Sequence, residues 1–250
     1  MSKLYYLKEN EGIINLEDNE NKTLFLINEK DSIDLNISLK DYSSLNLQIV
    51  NKYASNNEVK IKITADLMEN STFKLVLIDF SSKKMKAEVF AEIHSFAYFE
   101  ANVASTSSNT EEKIFDIRAN HAYKNGSSLV KMYGVITDKG SLSFLGDSNI
   151  EKGAIKVSTR QEGHIADLSK GGKANVSPML RIAENDIKAS HGATLGKIPD
   201  ESLFYLMSRG LTKEEATSLM TIGFLKPIVN LIEDEKIRDE LLDYVNNRSY

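Results

Sequence analysis

Apolar and polar residues alternate through most of this chain. Leu45, Leu47 and Ile49 form one such set, and Val59, Ile61 and Ile63 the next. Phe73, Leu75 and Leu77 follow, then Met85, Ala87 and Val89, then Ala97, Phe99, Ala101 and Val103. Further sets are Phe115 with Ile117, Leu129 with Tyr133, Leu142 with Phe144, and Ile155 with Val157. A period of two marks half-buried strands. Polar breaks separate the sets: Ala54-Ser55-Asn56-Asn57, Glu69-Asn70-Ser71, Lys124-Asn125-Gly126-Ser127 and Asp138-Lys139-Gly140-Ser141. These are turn compositions, and no long helical window interrupts them. The pattern fits a sandwich or barrel of antiparallel strands, and it fits a β-solenoid equally well. Leu24-Phe25-Leu26-Ile27 reads as an earlier strand, whereas 1–22 carries little signal.

The period changes after Ile198. Asp200 is placed to cap a helix, with Glu201 in its first turn. Leu203, Leu206 and Met207 recur at helical spacing, and Gly210 stands where a helix would end. Thr212 and Glu215 form a capping box opening a second helix, with Ala216, Leu219 and Met220 inward and Gly223 ending it. Pro227 is placed to begin a third short helix. Ile237, Leu241, Leu242 and Val245 define a last amphipathic helix. The chain thus divides into an N-terminal segment (1–22), an all-β core (23–198) and a small α-helical domain (199–250).

The chain has no cysteine. That removes disulfides, thiolate nucleophiles and any all-Cys iron–sulfur or zinc site within it. The net charge of −5 disfavours nucleic acid as a partner. Ten Asp/Glu against six Lys/Arg after Ile198 leave −4 of that charge in the helical region. No apolar run is long enough to span a membrane, and the N-terminus lacks a signal-peptide pattern, so a cytoplasmic protein is expected.

Four histidines are candidate ligands. His191 lies in Lys188-Ala189-Ser190-His191-Gly192-Ala193-Thr194-Leu195-Gly196. Imidazole is a competent iron ligand, and Gly192 and Gly196 would permit tight turns beside it. His94, His121 and His164 read as solvated strand or loop residues, although Gln161, Glu162 and His164 would suit a metal if they formed a loop. Lys170-Gly171-Gly172-Lys173 lacks phosphate-loop spacing and reads as a turn. The helix around Leu203-Phe204-Tyr205-Leu206-Met207 is apolar on more than one side, which leaves Phe204 and Tyr205 as interface candidates.

The order H-G-A-T-x-G from His191 to Gly196, then L-F-Y-L-x-S-R-G-L from Leu203 to Leu211, resembles the SufB/SufD family. Lys173-Ala174-Asn175-Val176-Ser177-Pro178-Met179-Leu180-Arg181-Ile182 adds to the likeness, which is sharp over 168–223. Gly192, where SufB proteins carry Glu, favours the SufD branch. Ala189 stands where SufD members often have Cys, so no thiol is available there.

The resemblance implies a right-handed parallel β-helix followed by C-terminal helices. It also implies a non-catalytic scaffold for iron–sulfur cluster assembly, with a shortened N-terminus. Its expected partners are a SufC-like ABC ATPase, docking on the helices around Phe204, Tyr205 and Arg209, and a SufB-like paralogue. A second copy of this chain would be the alternative partner. His191 would contribute to a composite site holding a transient, shared iron–sulfur cluster. A β-helix polysaccharide lyase or hydrolase is the contrasting class, and it is disfavoured by the absence of Trp and of a secretion signal.

Overall fold

A computed structural model describes residues 4–6, 11–51, 58–197 and 200–246. Strands alternate between two sheets, and every pairing is parallel. One sheet stacks β1 (Leu4–Tyr6), β3 (Asn21–Asn28), β5 (Ser44–Asn51), β7 (Thr72–Asp79), β9 (Tyr98–Ser107), β11 (Ser127–Ile136), β13 (Val157–Asp167) and β15 (Ile187–Lys197). The other stacks β2 (Glu11–Leu16), β4 (Ser32–Leu39), β6 (Val59–Leu67), β8 (Met85–Ile93), β10 (Glu112–His121), β12 (Ser141–Ile150) and β14 (Lys173–Ile182). The body is a parallel β-solenoid, which overturns the antiparallel sandwich or barrel. Its first strands lie within 1–22, and the predicted break at 54–57 falls outside the described residues.

Alternation drives the coil. Each strand turns one set of side chains inward, and the next turn stacks the same set above it. Leu45, Phe73 and Phe99 are in register, and the two phenyl rings stack 5.6 Å apart. Leu75, Phe99, Ile117 and Val157 are all buried. β11 departs from the expected phase. Ser128, Val130, Met132, Gly134 and Ile136 face inward, while Leu129 and Tyr133 face out. Ile155 is exposed in a turn.

The turns stack too. Asn19, Tyr42, Asn70, Phe96 and Asn125 adopt left-handed backbone conformations. Each donates its N–H to a turn carbonyl one rung on, as in Tyr42 to Glu69 (3.0 Å) and Asn70 to Ser95 (3.1 Å). Asn tolerates this conformation, whereas Tyr42 and Phe96 adopt it at a cost in strain.

Three helices follow: α1 (Asp200–Ser208), α2 (Lys213–Val229) and α3 (Glu235–Asn246). The side chain of Asp200 lies outside the described residues. Gly210 takes φ +99 and its N–H reaches the Met207 carbonyl, ending α1 as expected. Thr212 and Glu215 form both arms of the capping box. Gly223 and Pro227 do not divide α2, which runs through both. Leu225, Ile228 and Val229 bury against the outer face of the first sheet, beside Val76, Ala104 and Val135. That packing outweighs the one helical bond Pro227 removes. Leu219, expected inward, is 50% exposed; Ala216, Thr217 and Thr221 make the buried face. Leu241 and Val245 of α3 join the same cluster. Beyond α2, Glu233 accepts from Asn46 Nδ2 (2.7 Å) and donates its N–H to Gln48 Oε1 (3.0 Å).

A polar column runs through one corner of the core. Asn28, Asn51, Asp79 and Ser105 are in register. Asn28 donates to Asn51 (2.8 Å), and Asn51 donates to Asp79 (2.6 Å). Lys113, fully buried, donates to Asp79 Oδ2 and to the Ser81 carbonyl, both at 2.6 Å. Removing one partner strands the other charge in a dry interior. Lys113→Met should therefore lower the unfolding free energy by about 3–5 kcal/mol. Urea denaturation checks this, and a loss below about 1 kcal/mol would mean that Asp79 is held by its neutral partners alone.

Candidate functional site

Among the described residues nothing covers the last turn of the solenoid. β14 and β15 each pair on one side only, so both offer a free backbone edge. Along one inward column, Leu75, Ala101, Val130 and Gln161 are buried. The next residue in that column is His191, which is exposed because no rung lies beyond it. Ile182 and Leu195, also at inward positions, are 47% and 52% exposed. His191 thus stands on an open apolar end, and its ring makes no hydrogen bond or ion pair among the described residues. Gly192 and Gly196 form no turns. Both lie extended within β15, and a Cβ on either would meet nothing within 4 Å.

The other histidines are structural. His94 approaches Asp66 at 3.0 Å without hydrogen-bond alignment and stacks on Tyr123. Burial raises the neighbouring Glu92 carboxyl above its ordinary value, against the opposing hydrogen bond from Asn120. His164 lies on β13, not in a loop, and packs on Tyr133. Glu162 lies 3.9 Å from its ring. Gln161 faces the opposite side of the strand, so the three side chains do not converge. No group of three or more His, Asp or Glu suited to a metal ion occurs among the described residues.

His121 is fully buried, contrary to the solvated reading. It ends a polar chain inside the last rungs. Gln161 Nε2 donates to Ser148 Oγ (2.6 Å) and to the Met179 carbonyl (3.0 Å). Ser148 contacts Thr159 (2.9 Å), Thr159 contacts Ser128 (2.8 Å), and Ser128 contacts His121 Nε2 (2.9 Å). An amide nitrogen can only donate. Every hydroxyl proton then finds an acceptor only if the chain runs from Gln161 to His121. In that direction His121 Nε2 accepts from Ser128, and the buried Nδ1 on the other side of the ring has no hydrogen-bond partner among the described residues. A Cβ at Gly146 would come within 2.6 Å of Gln161 Oε1, so that glycine makes room for the amide.

At the far end of the chain, α1 is weakly covered. Phe204 is 73% exposed and Tyr205 55%, while Leu203 and Leu206 are half-buried. Met207, expected inward, is 42% exposed. The Arg209 guanidinium lies over the Tyr205 ring, 5.2 Å from its centroid.

The SUF system FeS cluster assembly, SufBD core domain matches residues 13–224, from β2 into α2. The chain belongs to the SufBD family. Among its relatives, the iron–sulfur cluster assembly protein SufD of Bacillus subtilis is 36% identical over 128 residues, 51% of this chain and 29% of that protein. SufD of Escherichia coli is 31% identical over 129 residues, 52% of this chain and 30% of that protein. A SufBD family protein of Mycobacterium tuberculosis is 34% identical over 110 residues, 43% of this chain and 13% of that protein. The matched stretches thus span less than a third of these relatives' own length. The SufBD match covers His191, Phe204, Tyr205 and Arg209. Among the described residues no helix is long and apolar enough to cross a membrane.

The polar chain beneath the open end of this SufBD core escaped sequence reasoning. Its one signal was the loss of apolar residues at Ser128, Ser148, Thr159 and Gln161, each at an inward position of an otherwise alternating strand. Burial pushes the His121 imidazole down to about 4. The unfolded chain, with an ordinary histidine, therefore binds a proton that the folded state refuses. Stability contributed by neutral His121 is fully present above about pH 6.5 and falls by about 1.4 kcal/mol per pH unit down to about pH 4. His121→Asn should flatten that slope in chemical denaturation. An unchanged slope would assign it to other groups.

Proposed function

We propose that this protein is a SufD-like scaffold subunit that meets a second scaffold chain at its open end and an ATPase at its helices. The single observation that carries this reading is His191, exposed and unpartnered on an apolar end flanked by two free strand edges. An uncapped solenoid end exposes core positions and unpaired backbone, and a partner that continues both sheets removes both costs. The occupant is a SufB-like paralogue, or a second copy of this chain. Mass measurement of the co-expressed complex decides between them.

The cluster is cargo, built at that junction and passed on. The chain has no thiolate of its own, so His191 is one ligand of a composite site and the partner supplies the others. His191→Ala should leave folding and assembly intact while lowering the iron and acid-labile sulfide recovered after anaerobic co-expression. Equal cluster content in two equally stable complexes would reduce His191 to a surface residue.

The scaffold itself is non-catalytic, and ATP hydrolysis belongs to a SufC-like partner. Phe204 and Tyr205 on α1, with Arg209 directly after it, are the proposed docking residues. A large aromatic side chain lost from the centre of an interface typically weakens binding by about 2 kcal/mol, more than tenfold. Phe204→Ala with Tyr205→Ala should therefore abolish co-purification with the ATPase, and full retention would place the contact elsewhere. Point substitution is the right test because deleting the helices would uncover Val76, Ala104 and Val135.

A further inference from the structure

The two free strand edges at the open end differ at one residue. At β14, the N–H of Lys173 donates to the Gly140 carbonyl, and that of Ala183, just past the strand, donates to the Ile150 carbonyl, both at 2.9 Å. Between them the register with β12 is unbroken. Successive residues of a strand turn their backbone groups to opposite neighbours. Lys173, Asn175, Ser177, Met179 and Arg181 therefore bond to β12, and Ala174, Val176, Pro178, Leu180 and Ile182 face the free edge. Proline has no N–H, so this edge lacks a donor at its centre.

β15 has no such gap. The N–H groups of Ser158 and Leu168 donate back to the Gly126 and Ile136 carbonyls. The alternate residues of β13, such as Thr159, Gln161 and Gly163, therefore face β15. In the register that sets Val157 against Ile187, β15 answers with Lys188, Ser190, Gly192, Thr194 and Gly196. Ala189, His191, Ala193 and Leu195 are left to the free edge, and each keeps its N–H. A proline is tolerated in a strand whose nitrogen faces away from its neighbour. The same ring leaves the carbonyl of an arriving strand without a donor, which is one way edge strands are protected.

We propose that Pro178 guards the edge of the second sheet, so that the open end takes a partner strand on β15 and resists one at the centre of β14. On the scaffold reading above, the occupant of β15 is an end strand of the second scaffold chain. It pairs with the backbone on either side of His191 and so fixes what stands opposite that ring. In the second sheet the partner meets a gap at Pro178. The same gap keeps β14 from collecting further copies of this chain.

Two substitutions in the whole chain test this. Pro178→Val restores the donor on a strand-forming residue. Purified alone, the parent should not exceed a dimer in size-exclusion chromatography with light scattering, whereas Pro178→Val should form larger species as its concentration rises. Ala193→Pro moves the ring to the free edge of β15, where Gly192 before it has no Cβ to clash. It removes no ladder bond to β13, so its melting temperature should stay close to the parent's. Its affinity for the co-expressed scaffold chain should fall about tenfold. If Ala193→Pro does not fold, Ala189→Pro places the ring at another free position of the same edge. A parent that itself grows beyond a dimer overturns the guard, and so does a Pro178→Val that associates no further than the parent. A folded Ala193→Pro that binds the partner as the parent does overturns strand addition on β15. A parent that pairs with no scaffold chain would instead count against the scaffold reading, and Pro178→Val would still decide the guard.

Discussion

Each strand of this solenoid hydrogen-bonds only to the strands one turn before and after it, so a residue's chemistry is imposed on every residue in its column. An apolar side chain facing inward is covered only if the residues above and below suit it. Leu45, Phe73 and Phe99 obey that rule, as do the helices laid on the outer face of the same sheet. The rule also explains why polar residues enter the core in company. Asn28, Asn51 and Asp79 satisfy one another down their column, and Lys113 closes the set. The chain from Gln161 to His121 links polar side chains across two sheets in the same way, although Gln161 Oε1 and His121 Nδ1 at its ends stay unpartnered.

The column rule fails by necessity at the end formed by β14 and β15. The last rung has no successor, so residues that would be core anywhere else meet solvent. His191, Leu195 and Ile182 are exposed by position, not by chemistry.

Alternation is a local property, and it was legible wherever only one face of a strand is buried. Val59, Ile61 and Ile63 are such a case. Where helices cover the outer face as well, both faces carry apolar residues and the phase becomes ambiguous. That is why Tyr133, which lies 5.6 Å from the Phe224 ring, was assigned inward. Parallel pairing was not in the pattern at all, since hairpins and coils share a period of two; the family likeness supplied it. Gly223 and Pro227 were read as helix boundaries because propensity is local, while the packing that overrides it is tertiary. His191 was legible from its motif. His121 was not, because whether a histidine on a strand is dry depends on the rungs around it.

The helical region reaches across many rungs. α2 packs on β9 and β11, and the residues after it tie to Asn46 and Gln48 of β5. In a coil of this kind the hydrogen bonds between rungs run along the long axis, so a load on a single rung would tend to peel it from the next. A splint fastened at several rungs spreads that load and resists bending on its side of the coil. Pulling on these helices should move the rungs they fasten together as one stiff rod, up to the unfinished end.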